Sequence, residues 1–111
     1  MILAIPIWEG RVSPVLDTAR CLLTVRLEEG HEVERDELPL DEQTPSARAE
    51  TLAERGVALL ICGAVTAELR AAVVGRGIDL IPWTMGSVDE VLDAYLGGEL
   101  SDPRYAMPGA N

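Results

Sequence analysis

The sequence predicts an α/β fold: a mixed five-stranded sheet in the order β-β-β-α-β-α-β-α, with helices packed on it. Three observations predict it. Residues 1–7 and 57–62 are continuous apolar runs, as strands covered on both faces require. Residues 20–27 and 31–38 straddle the turn Glu28-Glu29-Gly30, as the arms of a hairpin do. From Thr44 onward, capped helical segments alternate with short apolar runs, and that alternation demands parallel crossovers.

The run at 1–7 is expected to end at Pro6, because proline cannot donate to a central ladder. Residues 8–14 read as a loop holding Glu9, Gly10, Arg11 and Ser13, and Pro14 opens a short turn through Leu16 and Ala19. In 20–27, Cys21, Leu23, Val25 and Leu27 alternate with polar neighbours, so the strand is half-buried and Cys21 packs within it. Glu32, Glu34, Asp36 and Glu37 make 31–38 a solvated edge strand, where charge discourages pairing with other chains. His31, at the turn, is expected to be exposed.

After a linker at 39–43, Thr44 caps a helix that starts on Pro45 and stops at Gly56. The run at 57–62 is a central strand, and Gly63-Ala64-Val65 a tight loop. Thr66 caps a second helix that reaches Gly75 or Arg76 and buries Leu69, Ala72 and Val73. Residues 78–82 read as a third short buried strand, followed by a loop at 83–86. Ser87 and Glu90 make a capping box, and Val88, Val91, Leu92, Tyr95 and Leu96 form one apolar stripe. Residues 1–100 are one domain, and 101–111 a tail that Tyr105 and Met107 can pin to the body.

The chain has 111 residues, 48% hydrophobic and 25% charged, enough for one buried core. Its net charge is −10, and every basic residue is Arg. That balance excludes non-specific binding to nucleic-acid phosphates and to anionic membrane surfaces. The N-terminal run lacks a basic flank and a cleavage site, and no stretch approaches the roughly 20 apolar residues that span a bilayer. A cytoplasmic protein is the expectation. Cys21 and Cys62 are isolated, so neither a disulfide framework nor a CxxC motif exists.

Ligands of such sheets bind beyond the carboxyl ends of the parallel strands. Three loops belong there: 8–14, 63–66 and 83–87. Two run into helix starts at Thr66 and Ser87, whose free N–H groups and dipole attract anions. Arg11 adds a full charge, and Gly63, Trp83, Met85 and Gly86 lie in the same loops. Each residue also has a plainer reading: Thr66 and Ser87 as caps, the glycines as turn formers, Arg11 paired with Glu9 or Asp17, the tryptophans closing the core. Cys62 is either a small core residue or a thiolate for a soft metal such as iron, and Met85 a gap-filler or a thioether partner.

No catalytic constellation is present. The single His lies far from any nucleophile, and no GxSxG, HExxH or P-loop pattern occurs. Metal-dependent nuclease chemistry needs acids on the central strands, and residues 1–7 and 57–62 carry none.

The opening Ile2-Leu3-Ala4-Ile5-Pro6, Gly10-Arg11-Val12-Ser13-Pro14, Leu16-Asp17 and Ala19-Arg20 resembles the dinitrogenase iron–molybdenum cofactor biosynthesis family. Leu52-Ala53-Glu54-Arg55-Gly56-Val57 with Ile61-Cys62-Gly63-Ala64 is similar to its centre, and Gly86-Ser87-Val88-Asp89-Glu90-Val91 with Ala94-Tyr95-Leu96 to its last helix. Met107-Pro108-Gly109 resembles the tail of one branch. The resemblance implies a ribonuclease-H-like fold without nuclease activity. It also implies a non-enzymatic carrier of an anionic metal cluster, an iron–sulfur or iron–molybdenum cofactor precursor, with ligand binding near Arg11-Val12-Ser13 and Cys62-Gly63. Related chains carry Cys where Met85 and Ala110 stand, and a His-containing stretch where Asp41-Glu42-Gln43 stands. One chain therefore lacks a full set of soft ligands. The alternative is an interaction module of cluster assembly, with a shallow rim and an exposed apolar patch, that binds a metal-cluster assembly protein.

Overall fold

Residues 1–108 are described in a computed structural model; the resemblance at Gly109 and the substitution at Ala110 lie outside them. The strands are β1 (Ile2–Trp8), β2 (Arg11–Val12), β3 (Cys21–Glu28), β4 (His31–Pro39), β5 (Val57–Ile61) and β6 (Asp79–Ile81). The helices are α1 (Pro45–Glu54), α2 (Ala67–Gly75) and α3 (Val88–Leu96), with short 3-10 turns at Leu16–Thr18 and Pro103–Tyr105. The sheet order is β4-β3-β1-β5-β6, with β2 paired to β1 off that path. β1 runs antiparallel to β3 and parallel to β5, and β5 runs parallel to β6.

The sixth strand corrects the reading of residues 8–14 as a plain loop. Glu9 and Gly10 turn at φ 50° and 75°, and Trp8↔Arg11 and Ile7↔Val12 then pair antiparallel. Pro6 does not end β1 either. Pairing with β5 stops at Ala4 and pairing with β2 starts at Ile7, so the missing N–H falls in the gap between neighbours. The Pro6 carbonyl is still bonded, accepting from Ser13 N–H at 2.8 Å. β6 is another departure: it is a three-residue strand, half-exposed at Leu80 and Ile81, because it is the last strand in the sheet order.

Alternation along the central strands divides the core. Ala4, Leu60 and Cys62 face Leu16, Leu52, Leu69 and Val73 under α1 and α2. Leu3, Ile5, Leu59 and Ile61 face Val91 and Leu92 of α3. Burying such a side chain contributes about 1.5–3 kcal/mol, so the two layers together supply the main stabilisation. Thr44, Thr66 and Ser87 each cap a helix, accepting from Ala47, Leu69 and Glu90 N–H respectively.

Two arginines fix the periphery. Arg48 of α1 is buried without a carboxylate partner among the described residues; it donates to the carbonyls of Glu42 (2.8 Å), Leu16 (3.3 Å) and Ala19 (2.7 Å). It thereby holds the segment between β2 and β3 against α1. Arg35 of β4 reaches Asp89 of α3 at 3.0 Å and Glu32 at 2.8 Å, tying the exposed hairpin to the helix.

Candidate functional site

β1, β5 and β6 end at one rim, and the three loops that follow them meet there. Val12 N–H donates to Gly86 O at 3.0 Å, and Val88 N–H to Gly10 O at 2.9 Å. Ala64 N–H donates to Pro14 O (2.8 Å), Leu16 N–H to Ala64 O (2.9 Å), and Trp83 N–H to Gly63 O (2.9 Å). The loops are stitched backbone to backbone. The approach is closest at Gly63, where a Cβ would lie 2.6 Å from both Ser13 O and Pro14 O. Gly63 therefore serves contact between loops.

The helix starts are already engaged. At Thr66 the Asp17 carboxylate accepts from the backbone N–H at 3.0 Å and from the hydroxyl at 2.6 Å. That carboxylate takes the place an external anion would occupy at α2. At α3, Ser87 caps Glu90 N–H, and the first helical N–H is bonded to Gly10.

The thiol expected at the rim is in the core. Cys62 is fully buried among residues under α1 and α2, and burial pushes its pKa up to about 12. It is a neutral thiol at pH 7 and offers no thiolate in this packing. Val12 is likewise a core residue, packed with the α3 layer.

What the rim does present is apolar surface and the cation Arg11, with Arg20 in the adjoining pocket. Trp8 is 60% exposed, Trp83 40% and Met85 36%. Trp83 sits at φ 59°, a conformation that costs a non-glycine residue about 1 kcal/mol. Both its backbone groups are held, by Gly63 O and by Met107 N–H. Met85 N–H donates to Tyr105 O, so the tail is bound to this loop, as expected of Tyr105 and Met107. Arg11 is exposed, and it belongs to none of the ion pairs among the described residues.

Cys21 was expected to pack within its strand. It opens β3 opposite Ile7, which brings it to the same rim, half-buried. With Trp8, Ser13, Thr18, Arg20 and Glu37 it lines a pocket of about 500 Å³. Its thiol donates to Glu37 Oε1 at 3.7 Å; burial and then the Glu37 charge push its pKa up. Asp17 and the buried Thr84 were missed; no local pattern announces a partner 49 residues away. Among the described residues no three His, Cys, Asp or Glu side chains are grouped to hold a metal ion.

The fold has solved relatives. The crystal structure of PH0822 superposes with a TM-score of 0.83 at 18% identity, covering 89% of this chain and 93% of that one. A protein from Methanocaldococcus jannaschii (mj0327), named provisionally as a dinitrogenase, gives 0.74 at 20% identity, covering 91% and 92%. A Thermotoga protein (TM1290), named provisionally as a NifB protein, gives 0.71 at 19% identity, covering 98% of each chain. A comparison with curated proteins finds no match. The family model described as dinitrogenase iron-molybdenum cofactor matches residues 1–98. This chain therefore belongs to the dinitrogenase iron–molybdenum cofactor family.

Proposed function

We propose that this chain is a non-enzymatic binding protein of metallocofactor assembly. It carries an anionic metal cluster, an iron–sulfur species or an iron–molybdenum cofactor precursor, against the rim. The observation that supports this most is Arg11, an exposed cation outside every ion pair among the described residues, on a chain of net charge −10, beside exposed Trp8, Trp83 and Met85. An anion with soft, polarisable sulfur suits a guanidinium framed by indole and thioether surface. Because Asp17 and Gly10 engage the helix starts, the cluster lies on the surface and depends on Arg11 rather than on helix dipoles. Ser13, Gly86 and Ser87 shape the loops beneath it.

A second reading keeps the assembly role without the cargo: an interaction module whose rim docks a metal-cluster assembly protein. The engaged helix starts and the apolar rim favour it. Anaerobic incubation with a synthetic iron–sulfur cluster, followed by gel filtration and iron analysis, separates the two. Retained iron that falls several-fold in Arg11→Glu supports the carrier. No retained iron, with a ligand-free complex formed by a cluster-assembly protein and lost in Trp83→Ala, supports the module.

A further inference from the structure

The loop at 83–86 is held from two sides, and the two sides differ in strength. The body holds it through Trp83 N–H to Gly63 O (2.9 Å), Thr84 N–H to Cys62 O (2.9 Å) and Val12 N–H to Gly86 O (3.0 Å). Cys62, Gly63 and Val12 are all buried. The tail holds the other side. Met85 N–H donates to Tyr105 O (2.8 Å) and Met107 N–H to Trp83 O (2.9 Å), so Thr84 and Ala106 stand opposite each other as an antiparallel pair.

The tail is the weaker side. None of residues 101–108 is buried. Their anchor is Tyr105, half-buried against Gly86 and the α3 layer, while Leu100 packs on the same layer and fixes the root of the segment. Segments with few buried contacts open locally, far more often than the whole chain unfolds. The rim depends on this side. Trp83 stands at φ 59°, a conformation that persists only while its surroundings hold it, and Met107 supplies one of the holding bonds. Tyr105 supplies the bond to the Met85 backbone. The same loop pairs with β2 through Arg11↔Ser87, so what loosens it also reaches the rim cation.

We propose that residues 102–108 are a strap that opens as one unit while the body stays folded, and that the closed strap sets Trp83 and Met85 for cargo. The second half rests on the carrier reading and adds control of the same site. Closed, the strap orders the rim. Open, it frees the Trp83 carbonyl and the Met85 N–H, and the rim loosens its hold.

Native-state amide hydrogen exchange tests the opening. Met85 and Met107 N–H are expected to share one protection factor, at least about a hundredfold below that of Thr84 N–H and insensitive to low urea. A staple closes the strap. The bonds flanking Thr84 and Ala106 make them a non-hydrogen-bonded pair, with Cα atoms about 4.5 Å apart and within disulfide reach. Thr84→Cys with Ala106→Cys, oxidised, should slow exchange at Met85 and Met107 by at least about tenfold, and reduction should restore it. Tyr105→Ala should speed both and lower the iron retained from a synthetic iron–sulfur cluster several-fold. Met85 and Met107 protected as strongly as Thr84, or exchanging at unrelated rates, overturns the strap. Equal iron retention in the wild type and Tyr105→Ala overturns its control of the rim. Joint exchange in a wild type that retains no iron supports the strap and sinks the carrier reading alone.

Discussion

The Asp17 carboxylate sits on the N-terminus of α2, bonded to both the backbone N–H and the hydroxyl of Thr66, 49 positions further along the chain. This contact links the turn after β2 to the helix after β5. It also makes an internal side chain the anion that the α2 dipole attracts. The consequence for the proposed carrier role is that an incoming anion meets a negative charge at this helix start, which is why the proposal turns on Arg11.

Removing that carboxylate should loosen the rim. Asp17→Ala is expected to cost about 1–2 kcal/mol, read as a lower urea midpoint with an unchanged slope. Thr66→Ala should cost a similar amount. In the double variant the losses should fall short of additive by about 0.5 kcal/mol or more, because the two side chains share one bond. Strict additivity would show that the contact does not form in solution.

Gly63 should tolerate no Cβ. Ser13 O and Pro14 O lie 2.6 Å from where it would stand, and backbone cannot give as a flexible side chain can. Gly63→Ala is expected to destabilise by about 2–3 kcal/mol. Gly75→Ala is the control. It ends α2 with open space around it, and should be neutral or stabilise by up to about 1 kcal/mol. Equal effects in thermal unfolding would contradict the loop contact.

Much of this architecture was legible in the chain. The runs at β1 and β5 read as strands because burial on both faces leaves no polar alternation. The caps Thr44, Thr66 and Ser87 read correctly because a cap acts within four residues. What was hidden depended on register. The hairpin of β1 and β2 needs only two pairs, and its positive-φ residues include Glu9, which carries no turn signature. The surroundings of the two cysteines were hidden for the same reason. Cys21 meets Ile7 at the rim, whereas the phase of β5 turns Cys62 into the layer under α1 and α2. No local spacing encodes either outcome.

Those roles are measurable by alkylation. Iodoacetamide at pH 8 should modify Cys21 and leave Cys62 intact in the folded protein, with mass spectrometry as the readout. Equal labelling would show that β5 is not buried as described.

Cys62 also sets an alkaline limit. Its folded pKa of about 12 stands above the ordinary value of 9.0, so the folded state holds its proton more tightly than the unfolded chain. The stability this gives is fully present below pH 9 and is lost as pH rises toward 12. The decline should approach about 4 kcal/mol. Cys62→Ala should flatten that decline while lowering stability at pH 7 through the space it leaves. Unfolding midpoints across the alkaline range check it; a profile as steep in Cys62→Ala as in the wild type would refute the assignment.

The chain's two tryptophans, Trp8 and Trp83, both stand at the rim, so their fluorescence reports on that surface alone. Anaerobic titration with a synthetic iron–sulfur cluster is expected to quench it to saturation, with affinity falling at least tenfold in Arg11→Glu. Quenching that never saturates, or that Arg11→Glu leaves unchanged, would contradict cluster carriage at the rim.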